Sequence, residues 1–129
     1  MTSSSESLPR PPLLVWESGD LHTFQSVAEA ESALEPPDVR NGIYRGFDGD
    51  GRLLALSTTV RREKFLGIVS VSRERVSVAL AEESPNHRDE LKGILQRFLA
   101  AVGEAAEVVT AMTFEELVTA ASNAARAIR

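Results

Sequence analysis

Apolar and polar positions follow two different periods along this chain. Over residues 13–81 short apolar runs and alternating stretches dominate, broken by one helical segment. From Leu91 onward apolar residues recur every three or four positions. Residues 13–17 (LLVWE) form a short apolar run, and Ser18, Gly19 and Asp20 are turn residues. Residues 21–25 (LHTFQ) alternate, so a first hairpin is expected. Ser26 then opens Ser-Val-Ala-Glu, a capping box in which Ser26 and Glu29 satisfy free backbone donors. The helix it starts should run to about Leu34. Glu35-Pro36-Pro37 should stop it, because a residue before proline avoids helical geometry and proline lacks an N–H. Residues 38–42 read as a loop, residues 43–47 as a strand, Asp48-Gly49-Asp50-Gly51 as a tight turn, and residues 52–59 as the returning strand. Residues 65–72 and 76–81 suggest another strand pair, with Arg73-Glu74-Arg75 between them. The four strands from Ile43 to Ala81 are expected to pair as a meander.

In the C-terminal third, Leu91, Ile94, Leu95, Phe98, Leu99 and Val102 form a helical stripe, opened by Ser84-Pro85-Asn86 and closed by Gly103. Thr113 and Glu116 form a second capping box. Phe114, Leu117, Val118, Ala121, Ala125 and Ile128 continue from it as the stripe of a last helix. Residues 104–112 fit loop, strand or helix. A helical stripe of Leu, Ile and Phe must be buried, and a sheet face is the large apolar surface available for it. The expected fold is α+β: an antiparallel sheet of about four to six strands with two or three helices packed on one face. The Ser- and Pro-rich residues 1–11 are expected to form a flexible N-terminal tail, and residues 12–129 a single α+β domain.

Composition narrows the class further. A hydrophobic fraction of 43% with 26% charged residues is that of an ordinary globular protein, and aromatics at 5% leave the core to Leu, Val, Ile and Ala. No apolar run approaches the length of a membrane span, and the N-terminus has no apolar signal core. Without cysteine there are no disulfides or thiolate metal sites, so a cytoplasmic location is expected. The net charge of −5 is unevenly spread. Residues 12–50 hold eight acids against Arg40 and Arg45. Residues 51–78 hold six bases against Glu63 and Glu74. Fields of a single sign steer partners toward a surface, although the two segments also neutralise each other if the fold brings them together.

No residue pattern specifies a reaction. Asp48-Gly49-Asp50-Gly51 begins like a calcium loop, but Leu53 and Thr59 stand where that loop needs Gly and Glu, which leaves a hairpin turn. His22 near Asp20 and His87 near Asp89 are the two possible His–Asp pairs for acid–base chemistry. Ser26, Ser84 and Thr113 are explained by helix capping. Arg61, Arg62, Lys64, Arg73 and Arg75 form a basic cluster, but one nearby aromatic, Phe65, and a pI of about 5.1 argue against nucleic acid. Trp16 and Tyr44 suit both a core position and a binding anchor. Glu29, Glu31, Glu35 and Asp38 give the first helix and the loop after it an acidic edge that a basic partner would relieve. Neither a cofactor nor a metal is expected.

The pattern F-x-S-V-x-E-A-E-x-x-L-E-P-x-D-V-x-N-G-x-Y…D-x-x-G-R-L-L, spanning residues 24–54, resembles a group of small uncharacterised bacterial proteins similar to toxin-immunity proteins. It departs from that pattern at Pro37 and Ile43. It covers about a quarter of the chain and carries no functional residue over. The resemblance implies a non-enzymatic protein that neutralises a cognate bacterial toxin. The expected contact is an acidic surface made by Glu29, Glu31, Glu35 and Asp38, with Trp16 and Tyr44 as anchors and a basic secreted toxin as partner. Two other readings stand beside it: a small-molecule-binding or regulatory domain using the open sheet face or a helix–sheet pocket, and a small enzyme using His22 with Asp20.

Overall fold

A computed structural model describes residues 8–65, 67 and 69–128. It is an α+β fold with two antiparallel sheets and five helices among those residues. Strands β1 (Leu13–Glu17), β2 (Asp20–Phe24) and β3 (Arg45–Phe47) form a sheet in the order β2-β1-β3. Strands β4 (Leu54–Phe65) and β5 (Val69–Leu80) form a separate two-stranded hairpin. The helices are α1 (Val27–Ala33), α2 (Pro36–Arg40), α3 (Arg88–Ala101), α4 (Ala106–Ala111) and α5 (Phe114–Ile128).

The single meander sheet is therefore corrected. The link from β3 to β4 is one bridge, Phe47 to Leu53, because Asp48-Gly49-Asp50-Gly51 turns the chain out of the first sheet. The helices also do not share one face. Strand β1 is central, and its alternating side chains serve two cores. Leu14 points with Leu21 and Phe47 toward Leu91, Leu95, Leu99 and Leu117 of α3 and α5. Leu13 and Val15 point the other way, toward Leu34 and Val39 of the α1–α2 segment and Val76 and Val78 of the hairpin. Leu13, Leu14 and Val15 are all fully buried, which explains why this strand reads as a continuous apolar run. Each such side chain contributes about 1.5–3 kcal/mol of transfer free energy. Gly46 lets the hairpin lie against the sheet, since a Cβ there would stand 3.2 Å from Leu54 Cδ1.

Both capping boxes form. Ser26 Oγ accepts from the Glu29 amide and Thr113 Oγ1 from the Glu116 amide. The double proline both ends and begins a helix: α1 stops at Leu34, and Pro36 and Pro37 occupy the first two positions of α2, where the missing N–H groups have no helical partner to lose. Residues 38–40, expected in a loop, belong to that helix. The segment 104–112 contains the short helix α4.

The hairpin is longer than expected. Arg73-Glu74-Arg75 does not separate two strands but continues β5, and the chain reverses between Phe65 and Val69 with Gly67 at φ 73°. Arg and Glu do not make turns by themselves, whereas Gly adopts positive φ without strain.

Part of the proposed tail is built into the fold. Pro9 is buried, the Arg10 amide donates to Asp48 Oδ2, and the Gly49 amide donates to the Arg10 carbonyl at 2.6 Å. Residues 1–7 of that segment lie outside the described residues.

Candidate binding surfaces

The acidic residues singled out from the sequence lie together along α1 and α2, and most of them have local work. Glu29 Oε1 accepts from the Gln25 amide at 2.6 Å, completing the cap of α1. Glu31 Oε2 accepts from the Val78 amide at 2.9 Å and so caps the outer edge of β5. Asp38 Oδ2 accepts from the Tyr44 hydroxyl at 3.3 Å. Glu35 is exposed, and its carboxylate has no cationic partner among the described residues. Glu31 and Glu35 line an open cleft of about 390 Å³ together with Glu74 and Arg75 of β5. Glu74 is also paired with Arg40 of α2 at 2.7 Å. Three carboxylates thus border one cleft between the α1–α2 segment and the hairpin.

Tyr44 belongs to this side of the molecule and Trp16 does not. Tyr44 is half-buried beside the core that holds α1 and α2, with its ring edge-on to His22 at 6.3 Å. Burial raises the pKa of its hydroxyl, and the charges of Asp38 and Glu17 raise it further, against a lowering by the Glu35 main chain. Trp16 is half-buried against the opposite core, under the C-terminal helices.

The two histidines differ from their expected pairings. The carboxylate placed on His22 Nε2 is that of Glu17, at 2.9 Å, and the one on His87 Nδ1 is that of Glu82, at 2.7 Å. The register pairs Glu17 with Asp20 and Val15 with His22, so Glu17 and His22 share a face on the diagonal across the turn, which sequence distance alone does not show. Glu82 also accepts from the Leu53 amide at 2.7 Å. Partial burial works to raise the Glu82 pKa, but the Leu53 amide and the His87 ring outweigh it and hold the carboxyl below its usual value. Arg45 and Glu90 form a bidentate pair with both contacts at 2.9 Å, and this hydrogen bonding lowers the Glu90 pKa and raises that of Arg45. No group of three or more His, Asp or Glu side chains among the described residues is placed to hold a metal ion.

Asp48 is the polar residue that sequence reasoning undervalued. It is fully buried and accepts from the backbone amides of Arg10, Asp50 and Arg52 and from the Arg52 guanidinium. Its bond to the amide two residues on is an Asx turn, the one signal in Asp48-Gly49-Asp50 that pointed to it. The role is structural: it binds the N-terminal segment to the β3–β4 turn.

The basic cluster occupies the outer half of the hairpin. Arg73 and Arg75 share Glu63, at 3.3 and 3.7 Å. Arg61, Arg62 and Lys64 have no acidic partner among the described residues, and Val60 on the same strand is 70% exposed. Among the described residues this outer half has no second layer beneath it.

No family model, curated protein or solved structure was found to match this chain. No helix among the described residues is long and apolar enough to cross a membrane.

Proposed function

We propose that this chain is a non-enzymatic binding protein, an immunity-like inhibitor that neutralises a cognate bacterial toxin by direct contact through the acidic side of α1 and α2. The observation that carries this reading is the cleft bordered by Glu31, Glu35 and Glu74. Its carboxylates are held by backbone and ion-pair contacts, so an entering Lys or Arg meets fixed negative charge and little side-chain ordering is left to do on binding. Glu35 supplies the one carboxylate there that is not already committed to a cation or a backbone amide. Tyr44, next to Asp38, is the aromatic at the margin of this surface. The resemblance over residues 24–54 supports the same reading, since that segment builds α1, α2 and β3. Trp16 has no part in it, because it faces the other core.

The test uses the product of the gene adjacent to this one, purified and mixed with the full chain. Glu35→Lys removes the uncommitted carboxylate without touching a structural bond. It is expected to slow association by roughly fivefold and to flatten its salt dependence, as charge changes at an interface rim do. An unchanged association rate would remove this cleft from the interface.

A further inference from the structure

The outer edge of β5, which borders the acidic cleft at Glu74 and Arg75 and continues past it, supports a second interaction. In an antiparallel pair, alternate residues of each strand turn their N–H and C=O groups toward the partner and the others turn them away. The Val78 amide points away from β4, since it donates to Glu31 Oε2, while the Ala81 amide points inward, to the Leu53 carbonyl. The parity places the main-chain groups of Glu74, Ser72 and Ser70 on the outward edge as well. Near the core that edge is capped by Glu31. At Glu74 and Arg75 it borders the acidic cleft, and from Ser72 outward no hydrogen bond from another element of the described residues reaches it.

The two edges of the hairpin are not equivalent. The outer part of β4 carries Arg61, Arg62 and Lys64 around Glu63, and cations of this kind deter edge pairing. The outer part of β5 reads Ser70, Val71, Ser72, Arg73, Glu74, Arg75, with small hydroxyl side chains flanking the open amides. On one face of that edge Arg73 and Arg75 stand two residues apart, and both rely on the single carboxylate of Glu63.

We propose that residues 70–75 of β5 are a strand-addition site for an extended protein segment with acidic side chains at alternate positions. The partner's main chain takes the free hydrogen-bonding groups, and its carboxylates lie beside Arg73 and Arg75. A second copy of β5 is the poorer occupant, because antiparallel self-pairing would gather four guanidinium groups on one face of the joined sheet.

The probe is a seven-residue peptide of alternating Val and Glu, capped at both ends, titrated into the ¹⁵N-labelled full chain. Saturable amide shifts confined to the β5 edge are expected at up to ~1 mM peptide, the range of weak affinity suited to so short a strand. A peptide with Lys in place of Glu should bind at least tenfold more weakly. Ser72→Pro deletes an outward amide that the hairpin does not use, so it should keep the hairpin and abolish binding. Should that variant unfold, the double variant R73E/R75E should reverse the preference to the Lys peptide. No shifts with the wild-type chain, or equal binding by a folded Ser72→Pro chain, would overturn the proposal. So would a concentration-dependent dimer that Ser72→Pro dissociates, which would assign the edge to a second copy.

Discussion

Asp48 shows how one buried carboxylate organises distant residues. Its oxygens take three backbone amides and a guanidinium, and its removal leaves the three amides without that partner and Arg52 with only the Leu8 carbonyl and a distant Asp50. Asp48→Ala is therefore expected to destabilise the chain by about 3–5 kcal/mol in urea unfolding, the range for breaking a buried pair from one side. A loss under about 1 kcal/mol would show that solvent reaches the site. Glu82 and Glu90 make an acid-side prediction. Both carboxyls are held below their ordinary value of 4.5 in the folded chain. The stabilisation they provide is complete above the unfolded value and is lost as pH falls through the lower folded one. Stability should thus decline below pH 4.5, and Glu82→Gln should decline less steeply than wild type. Identical slopes would contradict the assignment. Neither network was legible in the sequence beyond the Asx-turn pattern at Asp48, because Arg10 and Asp48 lie far apart along the chain and Glu82 meets Leu53 only after folding.

At the scale of elements, local chemistry was the part that could be read. The capping boxes, the turn at Asp48-Gly49-Asp50-Gly51 and the stripes of α3 and α5 all depend on neighbours within a few residues, and they are present, except that the last residues of the two stripes, Val102 and Ile128, are exposed. The errors arose where long-range packing decides. Apolar runs in β1 do not say which two cores they will serve. Pro36 and Pro37 break one helix and start another, and their chemistry is the same in both roles. The Arg-rich middle of β5 looked like a junction because its side chains are polar, yet a strand exposed on both faces has no apolar alternation to display. The hairpin spans twelve residues per strand, about 40 Å, and its outer half has no supporting layer among the described residues. A two-stranded ribbon without such support is marginal in water. Inward amides at residues 61, 63, 71 and 73 should therefore exchange with deuterium at least tenfold faster than those at residues 55, 57, 77 and 79. Equal protection along the hairpin would mean that the outer half is stabilised by something beyond its own ladder.

Across the whole molecule, charge segregation survives folding. The acidic side of α1 and α2 meets the hairpin where Glu31 takes the Val78 amide, where Arg40 pairs with Glu74 and where Arg75 borders the cleft, while Glu35, Arg61, Arg62 and Lys64 have no counter-charge among the described residues. The chain thus presents two surfaces of opposite sign on opposite parts of one hairpin-centred scaffold. The general class, α+β, could be inferred from periodicity alone. The layering could not, because a central three-stranded sheet between helices and a hairpin requires knowing which strands pair. The proposed function requires the acidic cleft to receive a basic protein partner. It is tested most directly by stopped-flow association of the full chain with the adjacent gene's product at low and high salt. A complex is expected whose association slows steeply as salt rises, less steeply for Glu35→Lys. Failure to form a complex, or a rate that ignores both salt and Glu35→Lys, would contradict it.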